Sequence, residues 1–236
     1  MITIRNLWKT YDSTPVLKGI NFIVPPSSIT IILGRSGVGK SVLLKQIAGI
    51  EQPDQGSIEI ENIDLCSLSE HKRRQYTAQI GMLFQGSALF DSMTIQENIA
   101  FAMTEKSQAK IDEALENVGL IGFNNKYPAE LSGGQKRRAA IARLVAYKPK
   151  ILLFDEPTTG LDPITAQQII SLIQETQRSL QATALIVTHD LVLAEQIGEY
   201  FALHDEGIIQ ISGNRQDFFN SNHPLVQAFI SGRSVP

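Results

Sequence analysis

The sequence predicts an α/β fold in which a parallel sheet carries an antiparallel β flank and an inserted α-helical subdomain. Three observations predict it. Short apolar runs of strand length, Ile29–Leu33, Gln79–Phe84, Ile151–Phe154 and Ala184–Thr188, alternate with helical patterns, the order expected of parallel strands joined by crossover helices. Near the N-terminus, Ile2–Leu7, Ile20–Val24 and Ile58–Ile60 read as strands separated by turn residues, which suits an antiparallel flank on the main sheet. Between residues 87 and 148 helix patterns dominate, and Ile111–Val118 and Gln135–Ala146 each carry an apolar stripe at helical spacing.

Taken in order, the flank leads to Ile29–Leu33, then to the turn Gly34–Ser41 and a helix-like run, Val42–Ala48. The helical insertion follows the strand at 79–84, and the chain returns to the sheet at 151–154 and 184–188. Ile208–Ile211 reads as a last strand before Gly213. The expected organisation is a core of residues 1–86 and 149–212, a helical subdomain of 87–148 and a C-terminal extension of 213–236. At 236 residues the chain buries a large core without staples. A 43% hydrophobic and 19% charged composition describes a globular protein, and a net charge of −3 gives no global pull toward nucleic acid. Cys66 is the single cysteine, which excludes an intrachain disulfide and a cysteine-based metal cluster. No apolar run approaches membrane-span length, and the opening Met1-Ile2-Thr3-Ile4-Arg5 lacks the apolar core of a leader, so a cytoplasmic chain is expected.

The turn Gly34-Arg35-Ser36-Gly37-Val38-Gly39-Lys40-Ser41 fits G-x-x-x-x-G-K-[ST] at every fixed position, between a strand and a helix. Gly34, Gly37 and Gly39 let successive N–H groups, that of Ser36 among them, curl round phosphate oxygens, and the helix that follows points its positive end at the same anion. Lys40 supplies a mobile point charge for the outer phosphates, and the Ser41 hydroxyl is a ligand for hydrated Mg2+. The core is therefore expected to be a P-loop NTPase of RecA-like type. Ile151-Leu152-Leu153-Phe154-Asp155-Glu156 delivers two carboxylates at the end of a buried strand. Beside a phosphate loop, Asp155 suits the magnesium shell and Glu156 a general base for water, a role that contributes about 10²–10⁴-fold in rate. Leu131-Ser132-Gly133-Gly134-Gln135 starts a helix with Ser132 as N-cap and its N–H groups facing an anion.

With that last string the chain resembles the ATP-binding cassette (ABC) family along almost its whole length, and the string matches the family's signature motif. The resemblance implies the ABC ATPase fold, with ATP and Mg2+ as ligands. It implies that Tyr11 stacks on adenine, worth about 0.5–1.5 kcal/mol beyond burial, with Val16 and Val42 also lining the nucleotide. Gln85 matches the glutamine that senses magnesium and the transmembrane partner, Asp162 in Gly160-Leu161-Asp162 the loop that crosses a dimer interface, and His189 the histidine on the γ-phosphate. It further implies a head-to-tail dimer in which Ser132 and Gly134 of one copy meet the γ-phosphate held by the other. Transmembrane permease subunits then bring the ATPase to the cytoplasmic face of the inner membrane. His71, His204 and His223 match no catalytic position, and His71-Lys72-Arg73-Arg74 reads as a solvated helix face.

Four stretches are more specific: Lys40-Ser41-Val42-Leu43-Leu44-Lys45; Leu83-Phe84-Gln85-Gly86-Ser87-Ala88-Leu89-Phe90-Asp91-Ser92-Met93; Asp155-Glu156-Pro157 with Gly160-Leu161-Asp162-Pro163-Ile164-Thr165; and Pro224-Leu225-Val226-Gln227-Ala228-Phe229-Ile230-Ser231-Gly232. Together they are similar to the ATPases of MCE-type, Mla-like phospholipid transporters, which implies lipid cargo and an MCE-domain partner. Gln135 departs from that branch, where many members carry methionine, and an importer of amino acids or other small polar solutes is the alternative. Phe218, Phe219, Leu225, Val226, Phe229 and Ile230 lie beyond the last expected strand, and either cover the chain's own core or clasp the second copy.

Overall fold

The computed structural model of the chain describes residues 1–103 and 105–231. Its elements are β1 (Ile2–Tyr11), β2 (Thr14–Val24), β3 (Ile29–Leu33), α1 (Lys40–Ile47), β4 (Gln55–Ile60), β5 (Ile63–Asp64), α2 (Glu70–Thr77), β6 (Ile80–Leu83), α3 (Ile95–Phe101), α4 (Gln108–Asn117), α5 (Gly133–Val145), β7 (Ile151–Asp155), α6 (Pro163–Leu180), β8 (Thr183–Thr188), α7 (Leu191–Ile197), β9 (Tyr200–Asp205), β10 (Ile208–Asn214), α8 (Arg215–Phe219) and α9 (Pro224–Ile230).

Continuous apolar runs make β3, β7 and β8 strands buried on both faces, as parallel strands require. They sit in a six-stranded sheet of order β10-β9-β3-β8-β7-β6, parallel except for β10. Successive side chains alternate between two cores. Ile31, Phe154, Ile186 and Phe201 face one that is completed by helices α3 to α9. Ile32, Leu153, Val187 and Ala202 face another, shared with α1 and a four-stranded antiparallel sheet of order β2-β1-β4-β5. The expected flank is thus a separate sheet, and α1 lies between it and the parallel sheet, touching β2, β7 and β8. Leu43, Leu44 and Ile47 are wholly buried there.

The flanking strands run longer than the apolar runs suggested: β1 continues to Tyr11 and β2 starts at Thr14, because cross-strand pairing carries the polar ends of the hairpin. Strand β9 was not expected from the sequence. Its Tyr200-Phe201-Ala202-Leu203 core is flanked by His204 and Asp205, so its apolar run is short. Pairing with β3 on one side and β10 on the other fixes it as a strand. The basic run at 71–74 lies on α2, none of whose residues is buried, with Arg74 paired to Glu70 one turn back at 2.5 Å. No helix among the described residues is long and apolar enough to cross a membrane.

The C-terminal apolar residues cover the chain's own core. Phe218 and Val226 are buried, and Phe219, Leu225, Phe229 and Ile230 pack against the same cluster. Phe218 stacks on Phe201 at 5.4 Å between centroids, and Phe219 meets Phe201 edge-on at 4.9 Å. Gly232 of the specific C-terminal stretch lies outside the described residues, as do the other residues after Ser231.

His204 is wholly buried, and neither ring nitrogen has a hydrogen-bond partner among the described residues. Burial, reinforced by the charge of Lys40, pushes its pKa from 6.5 down to about 4. The unfolded chain therefore binds a proton that the folded chain refuses, and stability falls as pH drops from 6.5 toward 4. The loss amounts to about 3 kcal/mol over that window. Replacing His204 with leucine is expected to remove most of this acid sensitivity. Urea unfolding at pH 7 and pH 5 checks it: the gap between the two midpoints should be smaller in the variant than in the native chain.

Candidate functional site

Strand register assembles the site. Leu33 of β3 pairs with Thr188 of β8, Asp155 of β7 with Val187, and Leu83 of β6 with Phe154. The residues that follow, Gly34, His189, Glu156 and Phe84, therefore emerge side by side at the carboxyl edge of the parallel sheet, where open α/β sheets form their binding crevices. Gln85 comes next in that row, and its side chain is exposed.

Gly34 to Gly39 form the turn between β3 and α1. Gly39 is left-handed at φ 105°, and a Cβ there would lie 2.8 Å from Cγ1 of Val16, so β2 packs directly behind the loop. Arg35, Ser36 and Gly37 are exposed. Lys40, expected to be a mobile charge for phosphates, is held here by its own loop. Its side chain is 5% exposed, and its ammonium donates to the carbonyls of Gly34 at 2.7 Å and Arg35 at 2.8 Å and lies 3.4 Å from Glu156 Oε1. Burial lowers its pKa, and the Glu156 and Asp155 charges work against that fall. The Ser41 hydroxyl donates to Asp155 Oδ1 at 2.8 Å. Burial pushes the Asp155 carboxyl up, against the Ser41 hydrogen bond. At Glu156, burial works upward but is outweighed by the His189 hydrogen bond and the Lys40 charge, so its pKa lies below the ordinary value. Glu156 Oε2 sits 2.9 Å from His189 Nδ1, and the His189 ring is half-exposed.

Ser41 and Asp155 bring two oxygen donors together, the kind a hard divalent cation takes. Among the described residues no group of three or more His, Cys, Asp or Glu is placed to hold a metal alone. The donor set therefore fits a magnesium ion that shares its shell with phosphate oxygens and water, and does not fit an all-protein cage.

Tyr11 ends β1 and is 39% exposed. Its hydroxyl donates to Glu51, which in turn pairs with Lys45 of α1 at 3.4 Å. Partial burial and the Glu51 carboxylate push the Tyr11 pKa up to about 12. The ring is thus tethered beside the helix that carries Lys40 and Ser41.

The second group of expected residues lies together at the start of α5 and α6. Ser132 caps α5, accepting from the Gln135 N–H while Gln135 Oε1 accepts from the Ser132 N–H. Asp162 caps α6 through the N–H groups of Ile164 and Thr165. Gly134 is buried against α6, where a Cβ would come 2.3 Å from Thr165 Cγ2. No hydrogen bond or ion pair joins these residues to Lys40, Asp155 or Glu156 among the described residues.

Sequence reasoning missed the side chains that hold the site in shape. Glu156 Oε2 also accepts from Thr159 at 3.1 Å and Thr188 at 3.2 Å. The loop that carries Gln85 is pinned to α5: Arg137 donates to the Phe84 carbonyl at 2.9 Å and Arg143 to that of Ala88 at 2.8 Å. Between those anchors Ser87 and Ala88 are both left-handed, at φ 63° and 49°, without being glycine. Arg137 among the buried residues of α5 was the available signal, since a buried guanidinium group needs acceptors.

This fold and edge define a phosphate-loop ATPase. The family described as "ABC transporter" matches residues 17–159. The probable ribonucleotide transport ATP-binding protein mkl of Mycobacterium leprae is 34% identical over 99% of this chain and 70% of its own length. A methionine import ATP-binding protein, MetN 1 of Pseudomonas fluorescens, is 37% identical over 98% of this chain and 72% of its own. Among solved structures, the dimeric post-hydrolysis state of the ATP-binding cassette MJ0796 bound to ADP and Pi is similar with a TM-score of 0.82. It is 30% identical, covering 91% of this chain and 98% of that one. The chain belongs to the ABC transporter family, as an ATP-hydrolysing, ATP-binding subunit.

The Gly134–Thr165 contact gives a test of how the starts of α5 and α6 are held together. Gly134→Ala is expected to destabilise the fold by about 1–3 kcal/mol through overpacking. Thr165→Ser keeps the hydroxyl and removes Cγ2, so the double variant should recover most of the loss. Thermal unfolding of the four proteins in the cycle measures the coupling.

Proposed function

We propose that the chain powers a membrane permease by hydrolysing ATP, with two copies enclosing two nucleotides head to tail. The observation that carries this reading is the meeting of Lys40, Ser41, Asp155, Glu156 and His189 at one sheet edge, joined by contacts of 2.8 to 3.4 Å. Residues 1–86 and 149–212 act as the ATP-binding core, and 87–148 as a helical unit that presents Ser132 and Gly134 to the nucleotide of the second copy. Asp162 lies at the crossing between copies, and residues 213–236 form an extension.

In this reading the N–H groups of residues 34–41 and the ammonium of Lys40 bind the phosphates, and Tyr11 and Val16 support the base, with Val42 on the first turn of α1. Ser41 and Asp155, with Gln85, would hold Mg2+, which when bound neutralises phosphate charge. Phosphoryl transfer demands positioning and charge more than covalent chemistry. Glu156, kept ionised by His189 and Lys40, takes the proton of the attacking water, and His189 turns its exposed edge to the γ-phosphate. Binding ATP closes the dimer and hydrolysis opens it, and that difference in affinity drives the permease. Attachment to permease subunits places the chain on the cytoplasmic face of the inner membrane.

For cargo, the four specific stretches favour phospholipid moved between membranes, with an MCE-domain protein in the complex. The methionine import relatives favour a second reading, an importer of amino acids or other small polar solutes.

Glu156→Gln is expected to lower turnover by about 10²-fold or more and to accumulate an ATP-bound dimer on size-exclusion chromatography. Undiminished turnover rejects Glu156 as the base. Purifying the native complex tests the cargo. A permease bound to an MCE-domain protein and lipid supports phospholipid, whereas a solute-binding protein in their place supports the second reading.

A further inference from the structure

We propose that Thr188 is a positioning residue for Glu156, aiming its carboxylate from the end of β8. This inference rests on Glu156 acting as the base and adds the group that orients it. Glu156 is left-handed at φ 47°, a conformation a glutamate keeps only where its surroundings over-determine it. Two consecutive residues of β8 do this. The Glu156 N–H donates to the Val187 carbonyl at 3.0 Å, and the Thr188 hydroxyl donates to Glu156 Oε2 at 3.2 Å.

The direction of the Thr188 hydroxyl is itself fixed. Its oxygen accepts from the Asp190 N–H at 3.0 Å, and an ionised carboxylate only accepts, so the single hydroxyl proton goes to Glu156. Asp190 is in turn locked, with Oδ2 accepting from Thr158 at 2.7 Å and Oδ1 capping α7 through the Leu193 N–H. Thr188 is wholly buried, so no water replaces it. The remaining contacts of Glu156 are less permanent. Lys40 and His189 are the groups that turn to phosphate oxygens in the proposed reaction, and Thr159 stands in a partly exposed turn. When nucleotide arrives, the buried hydroxyl on the strand is the holder that stays.

Thr188→Val keeps the branched shape and deletes the hydroxyl, while Thr188→Ser keeps the hydroxyl. In the full chain, Thr188→Val is expected to lower kcat for ATP roughly tenfold or more through misplacement of the base, with KM changed by no more than about twofold. Thr188→Ser should recover most of the rate. A second readout needs no turnover: the crystal structure of Thr188→Val with a non-hydrolysable ATP analogue and Mg2+ should show the Glu156 carboxylate displaced from the position it holds in the native chain with the same analogue. Unchanged kcat and an unmoved Glu156 overturn the proposal, as does an equal loss in the valine and serine variants. If Thr188→Val fails to fold, Thr158→Val carries the test by freeing Asp190, with kcat again falling and KM kept. Unchanged kcat in that variant overturns it. Loss of turnover by Glu156→Gln alongside full turnover by Thr188→Val rejects only the positioning role, whereas full turnover by Glu156→Gln rejects the base itself.

Discussion

A buried cluster of charge is the constraint on which the rest of this structure depends. Lys40, Asp155 and Glu156 are 5%, 5% and 8% exposed and share one edge of the parallel sheet. Each would be costly there alone, and removing one partner from such a group typically costs several kcal/mol because the others stay buried and uncompensated. The cluster persists because every member has fixed partners: two loop carbonyls for Lys40, the Ser41 hydroxyl for Asp155, and a histidine, two threonines and Lys40 for Glu156. The phosphate loop thus satisfies its lysine with its own backbone. The Lys40 ammonium also faces Glu156, so the loop and the carboxylate at the end of β7 hold each other in place.

The two sheets divide the labour of holding that cluster. The parallel sheet brings Gly34, Glu156 and His189 to one row through the registers Leu33–Thr188 and Asp155–Val187. No hydrogen bond or ion pair joins the antiparallel sheet to Asp155 or Glu156 among the described residues. That sheet closes the back of the loop, where Val16 and Leu17 of β2 leave no room for a side chain at Gly39, and it buries α1 from the other side. Helix α1 therefore has apolar packing on both flanks and its N-terminus at the phosphate site. That explains why Leu43, Leu44, Gln46 and Ile47 are buried while Arg35 to Gly37 stay open.

The fold class was largely legible because its strongest signals are local. A five-residue apolar run at 29–33 became β3 with the same limits, and the alternation of runs and stripes became the layered architecture. What could not be read was non-local. Strand β9 carries a buried histidine and owes its place to pairing on both sides. The division of strands between two sheets depends on partners far apart in sequence. In the site, residue types that must face phosphate stand out as a spaced motif. The threonines at 158, 159 and 188 and the arginines at 137 and 143 do not, because a hydroxyl or guanidinium can serve many purposes. Only the direction of its hydrogen bonds reveals which. The apolar tail shows the same limit, since composition could not say whose core Phe218 and Val226 would fill.

Gln135 illustrates how a packed structure changes the weight of a sequence difference. In the sequence it stands as a departure from the phospholipid branch and so bears on cargo. In the structure its Oε1 accepts from the Ser132 N–H while the Ser132 hydroxyl accepts from the Gln135 N–H, a reciprocal capping box that satisfies two otherwise unpaired donors. A methionine cannot accept in that way, so the Ser132 N–H would lose its partner while the Ser132 hydroxyl could still cap the helix. The residue is therefore accounted for by the start of α5, a local backbone requirement that holds whatever passes through the permease.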